Sequence, residues 1–394
     1  MIKTGESRFF LTHLCLGVKV QYQVITEQQQ LDEFVAAIAD AKLLALDTEF
    51  MRRRTLYPEV ALIQVYDGQS LALIDPLVDL DFSSFWQILK SDDILKVLHS
   101  PSEDIEVFNN FAGFVPTPMF DTQFALQLLG EGNCVGFANM VKQILEIDID
   151  KSESRTNWLQ RPLTSKQLDY AASDVFHLLP CFHEIYKQIS EKNLINIVLE
   201  ESQLIIEKRS YELPDDLLYQ DIKNAWQLKP RDLATLQVLA PWRRRKAKNK
   251  NLALNFVLKE QNMVEIAKRR PTNLSSLRNV PGVEQMEVNR SGKEILNAIE
   301  QGKSIDIESC PEKLLRLIDY PQYKKAAKEI SNQIKKVAME TDIPADVFAS
   351  KKQINQLISW KWKHDDETRK LLLKPDLLKS WRWEYLQDVL SEWQ

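Results

Sequence analysis

The eight residues Leu43 to Phe50, LLALDTEF, constrain most tightly what this chain can fold into. Side chains alternate along a strand, so Leu43, Ala45, Asp47 and Glu49 share one face and Leu44, Leu46, Thr48 and Phe50 the other. One face of an otherwise apolar strand therefore ends in two carboxylates. Like charges placed this way lose hydration and raise each other's pKa unless a cation sits between them. Taken alone, the pair reads either as a strand end emerging into solvent or as ligands for divalent metal ions. Such ions want oxygen donors, and two of them can flank a scissile phosphate. Whether further acids occur at suitable places decides between the two.

With 394 residues and 44% hydrophobic content, the chain has room for two or three domains with substantial cores. Cys15, Cys134, Cys181 and Cys310 contain no C-x-x-C pair, which argues against a zinc finger or a disulfide framework. A reducing compartment, the cytoplasm, is expected. The apolar run Phe9 to Val18 contains His13 and lacks a small-x-small cleavage site, so residues 1–20 are read as a non-secretory extension. No stretch approaches the roughly 20 apolar residues that span a bilayer. The net charge of -5 divides into -13 over residues 1–212 and +8 over residues 213–394. An acidic half joined to a basic half suggests a metal-binding catalytic domain followed by one that holds a polyanion. Two solvated surfaces of opposite sign are the plainer alternative.

Helical spacing of Leu31, Phe34, Val35 and Ile38 predicts a helix over residues 27–41. Val60 to Tyr66 and Leu71 to Ile74 read as strands joined by Asp67-Gly68, which makes a meander with the acidic strand. A helix near residues 82–89 and a short strand, Ile94 to Leu98, follow. Pro101 suits the first turn of a helix that carries Asp104. Asp121 reads as a helix cap with Gly130 as the stop. Leu168 to Ile189 forms a long helix burying Ala171, Val175, Leu178, Phe182, Ile185 and Ile189, with a bend expected at Pro180. Tyr170 and Asp174, four residues apart, are neighbours on its surface. These elements predict an α/β ribonuclease H-like domain, a mixed sheet flanked by helices. Sites in such sheets form at the carboxyl ends of strands, where Asp47, Glu49 and the turn after Leu98 lie.

D-x-E at Asp47 and Glu49, H-S-P-S-E-D at His99 to Asp104 and Y-A-A-S-D at Tyr170 to Asp174 resemble the three motifs of the DEDD exonuclease superfamily, in its Tyr-containing branch. The flanks LALDTEFMRRRTLYPEVALIQVYDG, LHSPSEDIEVF and DKSESRTNWLQRPL extend this to a resemblance to the bacterial ribonuclease D family, from about Tyr22 onward. The resemblance implies a 3'-5' exoribonuclease that trims transfer-RNA precursors and other structured RNAs, releasing nucleoside 5'-monophosphates. It implies two divalent ions, Mg2+ or Mn2+. Asp47, Glu49 and Asp174 would hold one, with Asp47 bridging to a second held by Asp104, and Tyr170 would position the attacking water. Thr48 and Phe50 would touch the terminal nucleotide, although alternation turns their side chains toward the core. Lys151, Arg155 and Arg161 are candidates to meet phosphates, and His99 is expected to be structural.

From Pro214 the texture becomes helical, and residues 232–282 resemble an HRDC domain. Trp242 is followed by Arg243, Arg244, Arg245, Lys246, Lys248 and Lys250, a run able to neutralise several phosphates. Trp242 itself reads as a core anchor. Residues 301–394 look like a second, diverged HRDC-like copy without that run, and Trp381, Trp383 and Trp393 are expected to pack against the exonuclease domain. The predicted division is thus an extension (1–20), an exonuclease domain (21–212) and two all-α HRDC-type domains (213–300 and 301–394). A monomer is expected, its domains guiding a single-stranded tail through a ring or funnel. A DNA-directed 3'-5' exonuclease is an alternative, because D-x-E does not distinguish ribose from deoxyribose. A non-catalytic nucleic-acid scaffold is another, opposed by the clustered acids. The lack of a G-x-x-x-x-G-K-[ST] loop disfavours a helicase.

Overall fold

The structure is a computed structural model that describes residues 20–394. The expected extension, with its apolar run, lies outside the described residues except for Val20. Six strands form one sheet: β1 (Gln23–Ile25), β2 (Leu43–Met51), β3 (Glu59–Tyr66), β4 (Leu71–Ile74), β5 (Leu95–Leu98) and β6 (Met119–Asp121), in the order β1-β4-β3-β2-β5-β6. β2, β3 and β4 make the antiparallel meander, closed by Asp67-Gly68. Gly68 takes φ +101 and the Asp67 carboxylate accepts from the backbone N–H groups of Gln69 and Ser70, so the turn chemistry fixes the register. β5 and β6 run parallel to β2, which brings three carboxyl ends to one edge of the sheet.

The two faces of β2 enter different layers. Leu44 and Leu46 pack with the helices Gln28–Ala37, Ser83–Lys90 and Ser102–Phe111. Ala45 packs with the helices Thr122–Leu128, Phe137–Leu145 and Ser165–Glu191. The last of these opens on a capping box between Thr164 and Gln167. It runs as one helix through Pro180 and buries all six apolar residues that the spacing predicts.

The basic half is helical throughout. The helices Pro230–Lys250, Glu260–Arg269, Leu274–Arg278 and Gln285–Ser304 enclose Leu233, Leu236, Met263, Ile266, Leu277, Ile295 and Ile299. Gly302 permits the closest approach in this unit, since a Cβ there would stand 2.5 Å from Thr235 Cα. The last unit contains the helices Tyr323–Thr341, Lys351–Lys363 and Ser380–Leu390, and its core is continuous with that of the α/β domain.

Trp381 is buried and donates its indole N–H to Glu201 of the α/β domain at 2.9 Å. The adjacent Arg382 pairs with Glu201 and donates to the Phe348 carbonyl at 2.8 Å. Trp381 therefore packs as expected, whereas Trp393 packs within its own unit, its ring tilted 5.9 Å from that of Trp362. The first helical unit reaches the α/β domain through Asn251, whose side-chain oxygen accepts from Leu56 N and Tyr57 N. Arg316 lies 4.1 Å from the ring centre of Trp226 and links the two helical units. Each unit thus touches both others.

Candidate active site

Asp47 and Glu49 stand at the carboxyl end of β2, where a register shift against β3 falls between Glu49 and Phe50. Such irregularities re-aim side chains at a strand end. Asp174 and Tyr170 come from the Ser165–Glu191 helix, in the layer on the Ala45 face. Asp104 comes from the first turn of the Ser102–Phe111 helix, in the opposite layer. The acids therefore converge on one strand end from both sides of the sheet. One carboxylate oxygen each from Asp47, Glu49 and Asp174 lie within 4.8 Å of one another. Asp104 stands outside that triad and accepts a hydrogen bond from the Thr48 hydroxyl.

These residues line a cavity of about 240 Å³ together with Phe50, His99, Ser100, Glu103, Phe137, Ser154 and Tyr170. No Lys or Arg lines it among the described residues. Burial, reinforced by mutual repulsion, pushes Asp47 well above the usual carboxylate range and Glu49 to about 9. Desolvation raises Asp174 to about 8 and Asp104 to about 6, the latter held down by the Thr48 hydroxyl. Tyr170 is raised by burial and by the neighbouring carboxylates, so its phenol stays protonated and available as a donor to Asp174. Four clustered carboxylates with no cationic side chain are an unbalanced charge. An all-oxygen donor set of this kind fits hard divalent ions such as Mg2+ or Mn2+.

The structure sorts the other expected residues. His99 is structural: its Nε2 donates to the Val135 carbonyl at 3.0 Å, its Nδ1 meets the Thr122 hydroxyl at 2.9 Å, and burial lowers its pKa to about 4. Asp121 is a cap, accepting from Gln123 N and from Ser100 N, each at 2.9 Å. It thereby secures Ser100, which takes φ +59 at the cavity wall. Thr48 points away from Asp47 and Glu49 as alternation requires, yet toward Asp104, because the Asp104 helix covers that face. Phe50 both lines the cavity and packs on the same layer. Lys151 and Arg155 are exposed on either side of Ser154, and neither lines the cavity.

Three expected phosphate contacts are corrected. Arg161 is spent on a bidentate pair with Asp75 (2.6 and 2.8 Å) and on the carbonyls of Trp158, Gln160 and Ala61. Arg243 is buried, bonding to Leu254 O and Asn255 with Glu260 nearby at 3.6 Å. Arg244 is held by Leu213 O and Asp215. Only Arg245 of that trio is exposed, and it also pairs with Asp215, at 3.1 Å. Glu103, Phe137 and Ser154 line the cavity without having been singled out. Glu103 and Ser154 lie inside the quoted motif stretches, whereas no sequence signal marks Phe137.

A mixed α/β sheet with clustered carboxylates at a strand end, followed by helical modules, defines a metal-dependent 3'-5' exonuclease with HRDC appendages. Residues 22–190 match the family model described as 3'-5' exonuclease, residues 232–299 the HRDC domain, and residues 321–390 the C-terminal HRDC domain of ribonuclease D. Ribonuclease D of Cronobacter turicensis is 40% identical over 368 residues, 93% of this chain and 98% of that protein. Ribonuclease D of Escherichia coli is 40% identical over 371 residues, 94% of this chain and 98% of that protein. The crystal structure of Escherichia coli RNase D superimposes with a TM-score of 0.88 at 39% identity, covering 95% of this chain and 98% of that one. The chain belongs to the ribonuclease D family of 3'-5' exoribonucleases. Its described residues contain no helix long and apolar enough to cross a membrane.

Proposed function

We propose that the chain trims the 3' ends of structured RNAs, transfer-RNA precursors above all, at the cavity formed by Asp47, Glu49, Asp104, Asp174 and Tyr170. The convergence of the acids from both layers of the sheet on one strand end is the observation that carries this reading. Asp47, Glu49 and Asp174 would hold one divalent ion, Mg2+ or Mn2+, and Asp104 with Asp47 a second. Bound there, such ions lower the pKa of the attacking water and offset charge on the scissile phosphate and the departing 3'-oxygen. The protonated Tyr170 hydroxyl, anchored by Asp174, orients that water. Thr48 fixes the Asp104 carboxylate in one rotamer, and Phe50 presents an apolar surface to the terminal nucleoside. Among the described residues no Lys or Arg lines the cavity, which leaves the carboxylates free for metal.

A non-catalytic scaffold gains nothing from four acids facing a polyanion. The matched spans support domain boundaries at 21–212, 213–300 and 301–394, and the chain is proposed to act as a cytoplasmic monomer. The test is incubation of the protein with a transfer-RNA precursor bearing a 3' tail, alongside the same RNA with a deoxyribose tail, in Mg2+ or Mn2+. Stepwise release of ribonucleoside 5'-monophosphates, stopping near the folded body, is expected. Internal cleavage, or equal attack on the deoxyribose tail, would contradict it.

A further inference from the structure

The basic run after Trp242 is largely occupied internally: besides Arg243 and Arg244, Lys246 pairs with Glu294 and Lys248 with Glu212. The arginines directly after the catalytic strand are placed differently. Arg52, Arg53 and Arg54 follow β2 without a break and are all exposed. Arg54 is five positions beyond Glu49 in the chain, so this turn lies within about 18 Å of that acid. Arg52 pairs with Glu106, which ties the turn to the helix whose Glu103 and Asp104 line the cavity. Arg53 makes no hydrogen bond or ion pair among the described residues. The Arg54 guanidinium carbon sits 5.7 Å from the ring centre of Phe256, and that ring is 41% exposed.

Phe256 belongs to the first HRDC unit, and its carbonyl accepts from Arg290. The seam between the two domains is pinned beside it. Asn251, in the left-handed region at φ +46, accepts from Leu56 N and Tyr57 N at 3.1 Å each, and Ala253 N donates to Arg54 O at 2.8 Å. An exposed aromatic ring beside Arg54, a cation with no carboxylate partner among the described residues, forfeits burial on the protein's own account. It is also what single-stranded RNA requires, a platform for a base and cations for its phosphates.

We propose that Arg53, Arg54 and Phe256 form a subsite for the single-stranded RNA upstream of the nucleotide being removed. A base stacks on Phe256 and adjoining phosphates meet Arg53 and Arg54, while Asn251 positions the seam. The subsite rests on the exoribonuclease reading, and binding in EDTA tests it apart from catalysis. Oligoribonucleotides of about two to eight nucleotides, labelled at the 5' end, are titrated with the full chain. Affinity of the unaltered protein should rise with length. Phe256→Ala should lose about ten-fold on the longer RNAs, and Phe256→Trp should restore it. Joint replacement of Arg53 and Arg54 by Ala, both exposed, should lower the slope of log affinity against log salt by about 1.4. Affinities equal to the unaltered protein at every length, with the salt slope unchanged, overturn the subsite. A loss as large on the dinucleotide as on the longest RNA overturns it too. Failure of the exoribonuclease reading would appear separately, as no shortening of RNA by the unaltered protein with metal.

Discussion

Glu49 and Asp174 carry raised pKa values because they are desolvated beside Asp47 and, among the described residues, no cationic side chain lines the cavity. In the metal-free protein the folded state therefore holds more protons than the unfolded chain, whose carboxyls titrate near 4. Their contribution to stability is full below about pH 4 and is lost as pH rises through the folded values of about 6 for Asp104, 8 for Asp174 and 9 for Glu49. Calorimetric melting in EDTA should show Tm falling from pH 6 to pH 9, and saturating Mg2+ should flatten that fall. Asp174→Asn should stabilise the metal-free protein at pH 8 by about 2 kcal/mol and remove most of the gain from metal. Tyr170→Phe keeps the ring, whose centre lies 6.0 Å from that of Trp158, but loses the hydroxyl, so kcat should drop about 10- to 100-fold with metal affinity retained. The four acids and Tyr170 were legible in the sequence because D-x-E, S-E-D and Y-x-x-x-D keep them at strand-end and helix spacings. The Thr48 bond to Asp104 was not. Alternation tells which face Thr48 is on, but not which helix covers that face.

At the scale of elements, the meander and the long helix were legible from alternation, the Asp67-Gly68 turn and helical spacing. β1 and β6, three residues each, are too short to display a period and exist by pairing alone. The loop leading into the long helix shows how position in the fold overrides a residue's apparent role. Arg161 looks like a phosphate contact in sequence, yet it cross-links that loop to Asp75, a carboxylate only 6% exposed. Arg161→Ala should cost about 3 kcal/mol in denaturant unfolding, because Asp75 would be left buried and unpaired. Arg161→Lys should recover little of it, since the bidentate geometry needs a guanidinium. The salt slope of RNA binding should not change in either variant.

Over the whole molecule, the charge asymmetry read from the sequence pointed to a polyanion-binding half without telling which cations are free. The partners of Arg243, Arg244 and Lys246 are Glu260, Asp215 and Glu294, as far as 48 residues away in the chain, and only the fold brings them together. Of the three tryptophans expected to dock the last unit on the α/β domain, Trp381 is hydrogen-bonded to it, whereas Trp393 packs on Trp362 of its own unit. The strength of the docking lies in the buried pair of Glu201 and Arg382 beside Trp381, with side chains 8% and 3% exposed. Arg382→Ala should leave Glu201 unpaired, cost about 3 kcal/mol or more, and speed hydrogen exchange in the Ile195–Ser210 helix and the Ser380–Leu390 helix together.

Whether this acid cluster performs metal-dependent hydrolysis from the 3' end is decided by one assay. A 5'-labelled RNA with a single-stranded 3' tail is incubated with the unaltered protein, with Asp47→Asn and with Asp174→Asn, in Mg2+, Mn2+ or EDTA. If the four acids hold the ions, one-nucleotide shortening needs metal and falls at least about 100-fold in both variants. Shortening that persists in EDTA, or that Asp47→Asn leaves unchanged, would contradict that role.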